Sequence, residues 1–275
     1  MGDAWIHEDI DVGGVRLHYH RTGLGGKRPI VLTHGFTDDG LCWIPVARAL
    51  QGEYDVIMPD MRGHGRSARV KPGERVDMGA DLAGLVRALG LKDPILCGHS
   101  MGAMTTFQAA ARFPGIASAV ILEDPPWWME PWPVGSPRIF DNPFVDWARS
   151  LSALSLESLT ESCAKDHPAW PQDLVRAMCE SKKAMDPNIV DAMAPRMNAA
   201  EGHWTTLLGT LACPTLVIRA DSALGGIVTP EVAEKIRELN PRVRVVKIEG
   251  VGHLVRFDAF EAFMKTLRAF LDGLD

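Results

Sequence analysis

Short runs rich in apolar and β-branched residues recur along this 275-residue chain: IVLTHG at 30–35, YDVIMPD at 54–60, PILCGHS at 94–100, AVILEDPP at 119–126, PTLVIRAD at 214–221 and RVRVVKIEG at 242–250. They are continuous rather than alternating. Strands covered by helices on both faces have no water-facing side, so continuous apolar runs are what a buried parallel sheet requires. Helical patterns fill the intervals, at about 43–50, 76–90, 101–112, 230–239 and 257–271. Alternation of this kind implies an α/β architecture with a doubly wound, mostly parallel sheet. The opening segment to about Thr22, with VGGV between two mixed runs, reads as an antiparallel hairpin at the sheet edge.

The alternation stops after Asp124 and resumes near Cys213. Between them lie Trp127, Trp128, Trp132, Trp147, Trp170 and Trp204, many prolines, and amphipathic stretches at 156–165 and 171–185. The reading is a core of 1–124 and 211–275 interrupted by a helical cap inserted at 125–210. The PPWWMEPWP cluster is too apolar for a flexible linker.

Composition narrows the function classes. A chain that is 46% hydrophobic and 23% charged can bury a core. A net charge of −6 with no clustered basic face argues against nucleic acid. No run approaches the roughly 18 apolar residues of a membrane helix, and MGDAWIHEDID has neither the basic nor the apolar region of a signal peptide. The expectation is a cytoplasmic protein with no membrane partner, acting on a small molecule. The five cysteines (Cys42, Cys97, Cys163, Cys179 and Cys213) are scattered without Cys/His ligand spacing, so free thiols, no metal and no cofactor are expected. Oligomeric state is not encoded in these patterns, and a homo-oligomer is compatible with them.

Gly98-His99-Ser100-Met101-Gly102 follows a predicted strand and opens a predicted helix. Small residues two before and two after a serine permit a sharp turn that lifts its hydroxyl clear of the backbone, and the helix N-terminus offers N–H groups to developing negative charge. A serine hydroxyl is a weak nucleophile until a base takes its proton. His253, in GVGH just past the last predicted strand, is on a loop at the same sheet end and is the candidate base. Of the other histidines, His7, His18 and His20 sit on the edge hairpin, and His167 and His203 read as surface or cap-packing residues. A metal role for Asp60 and His64 is disfavoured.

His34-Gly35-Phe36, DMRGHGRS at 60–67, GHSMG and the late GVGH occur in the order found in the α/β-hydrolase superfamily, which the chain resembles along nearly its whole length. The resemblance implies a Ser-acid-His triad and an oxyanion hole formed by the backbone N–H groups of Phe36 and Met101, with His34 shaping a turn. For the acid it leaves two aspartates. Some relatives carry it after the strand read here at 214–220, in a pattern like G-x-x-D-x-x-x-P, but that slot falls on Ala223, with Asp221 two residues early. Others carry it after the strand following the nucleophile helix, where Asp124 stands. Asp124 is the preferred acid and Asp221 the alternative, while Glu123 points to the other strand face.

The resulting expectation is hydrolysis of a carboxylic ester or lactone of a small, hydrophobic substrate through an acyl-serine intermediate. Amide, C–C bond and perhydrolase chemistry on the same triad stay open. So does a small-molecule sensor of the same fold. Trp127, Trp128 and Trp132, directly after the preferred acid, are the candidate substrate-binding residues, with packing of cap to core as the competing role.

Overall fold

The structure, a computed structural model, describes residues 5–23, 25–129, 143–151, 153–197 and 203–274. Its centre is an eight-stranded sheet in the order β1-β2-β4-β3-β5-β6-β7-β8. The strands are β1 (Ile6–Val12), β2 (Val15–Arg21), β3 (Arg28–Thr33), β4 (Tyr54–Pro59), β5 (Ile95–His99), β6 (Ala119–Glu123), β7 (Thr215–Arg219) and β8 (Val243–Lys247). From β4 to β8 every neighbouring pair is parallel, whereas β1 and β2 form an antiparallel hairpin that pairs antiparallel with β4.

Side chains leave successive strand positions on opposite faces, and both faces here are apolar. Val31, Ile57 and Leu96 join Leu82, Leu85 and Val86 of α2 (Met78–Ala88) on one side. Ile30, Leu32, Val56, Met58, Ile95 and Cys97 join Val46 and Leu50 of α1 (Ile44–Leu50) and Phe263 and Leu267 of a C-terminal helix on the other. Burial on both faces explains why these strands read as continuous apolar runs. The helix after β5 is α3 (Met101–Arg112). Local capping sets helix starts: the Asp77 carboxylate accepts from Ala80 N–H at the head of α2.

Between β6 and β7 the chain carries α4 (Pro143–Ser150), α5 (Leu156–Asp166), α6 (Gln172–Ala184), α7 (Ile189–Met197) and α8 (Trp204–Leu207). After β7 come α9 (Pro230–Leu239), α10 (Val255–Asp258) and α11 (Phe260–Leu271). Among the described residues, no helix is long and apolar enough to cross a membrane.

Candidate active site

β5 delivers Ser100 in a conformation that few residues tolerate, φ 53° and ψ −118°. The turn is over-determined by its surroundings. Ser100 N–H donates to the Glu123 carbonyl at 2.9 Å, tying the turn to the end of β6. A Cβ at Gly98 would stand 2.2 Å from the Gly102 carbonyl oxygen, and one at Gly102 would stand 2.1 Å from that of Thr33. The two glycines of the pentapeptide are therefore demanded by close approach of backbone to backbone. Such strain persists only where the surrounding structure imposes it, and it clusters at functional sites. Gly102→Ala is expected to cost about 1–3 kcal/mol of stability and, by misplacing Ser100, roughly 100-fold in turnover. Thermal melts and kcat/KM measured together check this; wild-type values for both would show the contact is easily relieved.

One strand over, the chain turns again at Asp124, which has φ 41° and is fully buried. Its carboxylate accepts from Ile227 N–H at 2.9 Å and Val228 N–H at 3.1 Å, and its Oδ2 lies 2.7 Å from His253 Nδ1. Because the carboxylate only accepts, Nδ1 carries the proton and Nε2 presents its lone pair. His253 follows β8 and is partly exposed, its side chain 28% accessible. It lines, with Ser100, a cavity of about 350 Å³. Asp221 is elsewhere: it accepts from Ala223 N–H at 3.3 Å and pairs with Lys247 at 3.2 Å.

The buried histidines around the site are held neutral. Burial lowers His34 and His99 and brings His64 down to about 4. His34 donates from Nδ1 to the Gly35 carbonyl at 2.8 Å, and its Nε2 accepts from Met61 N–H at 2.9 Å. It thereby joins the loop after β3 to the loop after β4. His64 Nε2 lies 2.6 Å from the Phe36 carbonyl, bracing the segment that carries Phe36. His99 donates to the His253 carbonyl at 3.0 Å, and the two rings lie 4.6 Å apart. Phe36 lines the cavity, and Met101 opens α3, whose first N–H groups have no partners within the helix.

The α/β-hydrolase fold family matches residues 28–260. The chain belongs to this family. It is 27% identical to 2-(acetamidomethylene)succinate hydrolase of Mesorhizobium japonicum, over 98% of this chain and 97% of that one. It is 29% identical to N-formylmaleamate deformylase of Pseudomonas putida, over 96% of both chains. Among solved structures, a thermophilic esterase from Thermogutta terrifontis with malate bound is similar at 27% identity, TM-score 0.74, covering 98% of this chain and 99% of that one.

The structure of this α/β hydrolase revises the expected substrate contacts. Trp127 is fully buried, stacked on Trp204 with centroids 5.0 Å apart and edge-on to Phe107 at 4.9 Å. Trp128 is exposed, and its carbonyl accepts from Trp204 Nε1. Neither lines the cavity, because the turn at Asp124 sends the following residues down onto α3 and α8. Trp132 lies outside the described residues. The aromatic cavity wall comes instead from Trp147 of α4 and from Trp170, which stacks on His167 at 3.9 Å. His167, expected to be a surface or packing residue, is thus part of that wall.

Sequence reasoning also missed Arg256. Its guanidinium pairs with Glu123 at 3.0 Å, approaches Asp38 at 3.7 Å, and lies between the rings of Trp43 at 4.1 Å and Phe257 at 4.2 Å. Its N–H also donates to Glu123 at 2.8 Å. The segment that follows His253 is thereby fastened to the end of β6, next to Asp124. Glu123, read from the sequence as pointing to the other strand face, is consumed by this pair. A buried charge without its partner is costly, yet nothing in a lone arginine near GVGH signals where its partner lies.

Proposed function

We propose that this α/β hydrolase cleaves the acyl bond of a small carbonyl compound, a carboxylic ester or lactone, by attack of Ser100. His253 Nε2 takes the hydroxyl proton as the Oγ–carbon bond forms, and Asp124 stabilises the imidazolium. The N–H groups of Phe36 and Met101 receive the oxyanion. His253 then protonates the leaving group, and water, deprotonated by the same imidazole, releases the acid and regenerates Ser100. The observation that carries this reading is the 2.7 Å contact of His253 with a buried carboxylate, at a cavity whose wall includes the strained Ser100. Multiple turnovers on a panel of p-nitrophenyl esters and lactones test it. A single covalent capture of ligand without release would favour a sensor.

A second reading, hydrolysis of an amide that carries a carboxylate, is favoured by Lys182. Among the described residues it is the lysine or arginine in the cavity lining, and its Nζ donates to the Met178 carbonyl at 3.3 Å, leaving further donors for an anion. The two curated relatives above bear the names of a succinate derivative and a maleamate. Lys182→Met is expected to raise KM for carboxylate-bearing substrates roughly 10- to 100-fold, the value of a charge-assisted hydrogen bond, and to leave neutral esters unaffected. Equal effects on both classes would remove Lys182 from substrate recognition.

A further inference from the structure

We propose that His18, His20 and Asp60 form a binding site for a divalent transition-metal cation of the zinc class, at the hairpin edge of the sheet. The two histidines are two apart on β2, in His18-Tyr19-His20, so both side chains leave the same face. Asp60 directly follows β4, and its N–H donates to the His18 carbonyl at 2.9 Å, which brings it to that face. One donor atom from each of the three lies within 4.8 Å of the other two. All three side chains are buried: His18 is 6% exposed, His20 3% and Asp60 2%.

The hydrogen bonding leaves the atoms a metal would use uncommitted. The register of β1 against β2 puts Asp9 opposite His18 and His7 opposite His20. Accordingly, His18 Nδ1 lies 2.7 Å from Asp9 Oδ1, and His20 Nδ1 lies 2.6 Å from His7 Nδ1. His18 Nδ1 faces a carboxylate, which only accepts, so it donates outward and the His18 Nε2 lone pair faces inward. His20 Nε2 offers its lone pair in the same way in the tautomer in which His20 Nδ1 donates to His7. Among the described residues, His18 Nε2 is buried with no hydrogen-bond partner. His20 Nε2 is 3.8 Å from Asp60 Oδ1, beyond hydrogen-bond range. The Asp60 carboxylate is oriented by Gly40 N–H on Oδ1 and Arg66 N–H on Oδ2, each at 2.8 Å, and each oxygen retains a lone pair.

Metal-bound histidines characteristically have the other ring nitrogen held by a carboxylate or similar acceptor, which fixes the tautomer and the ring. Two imidazoles with one carboxylate suit zinc, cobalt, nickel or iron(II). Donors around a tetrahedral zinc stand about 3.4 Å apart, from bond lengths of about 2.0–2.2 Å. The three groups therefore need to close by roughly an ångström, with water as the remaining ligand. The cysteine and histidine spacing along the chain gave no sign of this cluster, because Asp60 joins the two histidines of β2 from a loop some forty residues farther along the chain.

None of the three residues lines the cavity with Ser100, so the cation would be a staple rather than a reactant. It would clamp the hairpin to the loop of Asp60, which runs on to His64 and its contact with the Phe36 carbonyl. The test is titration of EDTA-treated protein with Zn²⁺ by calorimetry, with Co²⁺ as a visible-absorption probe of imidazole coordination. Expected are one equivalent bound with micromolar or tighter Kd, and a Tm higher by roughly 5–10 °C at a hundredfold excess over Kd. His18→Gln and His20→Gln should each abolish binding, and His203→Gln should not. Asp9→Asn keeps every ligand and should weaken binding about 10- to 100-fold, which decides the matter if the ligand variants fail to fold. No stoichiometric binding, binding that survives both ligand variants, or an Asp9→Asn affinity equal to wild type would overturn the proposal.

Discussion

Ser100→Ala is expected to abolish turnover of every substrate the wild-type protein accepts and to abolish covalent labelling by a fluorophosphonate probe. The expected loss is on the order of 10⁴- to 10⁶-fold in rate, about 5–8 kcal/mol of transition-state stabilisation. The size follows from the geometry. Ser100 is the residue at φ 53° beside His253, and alanine at that position retains the turn but offers no oxygen to attack with. The melting temperature should change little, because Gly98 and Gly102, which make the close backbone approaches, are untouched. Labelling and turnover near wild-type rates would place the nucleophile elsewhere and sink the proposed mechanism.

Asp124→Asn is expected to cost about 10⁴-fold in kcat, while Asp221→Asn costs less than threefold. The asparagine side chain cannot stabilise the imidazolium. Its amide also faces a conflict, since the carboxylate here receives donors from Ile227, Val228 and His253 at once. Asparagine has one acceptor oxygen where aspartate has two, so one donor is left facing an NH₂ group, or His253 reverses to the tautomer whose Nε2 is already protonated. Asp221 lies at the end of β7 in a turn paired with Lys247, a salt bridge of the kind worth little at a protein surface. Circular dichroism and kcat on the two variants check the ranking, and the opposite order would move the acid to the later strand.

The turn at Ser100 was legible because its determinants are local. Gly98, Ser100 and Gly102 are neighbours in the chain, and the strand before them and helix after them are set by nearest residues. The strands were legible for a related reason: both sheet faces are buried, so each strand announces itself as an unbroken apolar run, and β4 to β8 lie within the runs that signalled them, while β3 begins two residues before its run. The choice between Asp124 and Asp221 was not local. It rests on the left-handed turn at Asp124 and on two N–H groups more than a hundred residues away, neither of which leaves a mark in ILEDPP.

The cavity wall shows the opposite outcome. Trp127 and Trp128 stand next to Asp124 in the chain, and closeness in sequence suggested closeness to substrate, but the turn at Asp124 reverses that inference. Trp127 goes into the core between Trp204 and Phe107, while Trp147 and Trp170, farther along the chain, reach the cavity. Short amphipathic helices do not encode in their own residues which of their faces will meet the sheet edge.

Sequence alone determined the α/β class, the sharp turn at Ser100 and the loop bearing His253, because each depends on residue size, hydrophobic period and glycine over a few consecutive positions. Tertiary structure alone decided which aspartate meets His253, that Arg256 fastens β6 to the segment that follows His253, which tryptophans wall the cavity, and that His18, His20 and Asp60 converge. Each of these is a contact between segments far apart in the chain. Strand register and the direction of a turn set such contacts, and both emerge only when the whole core is packed.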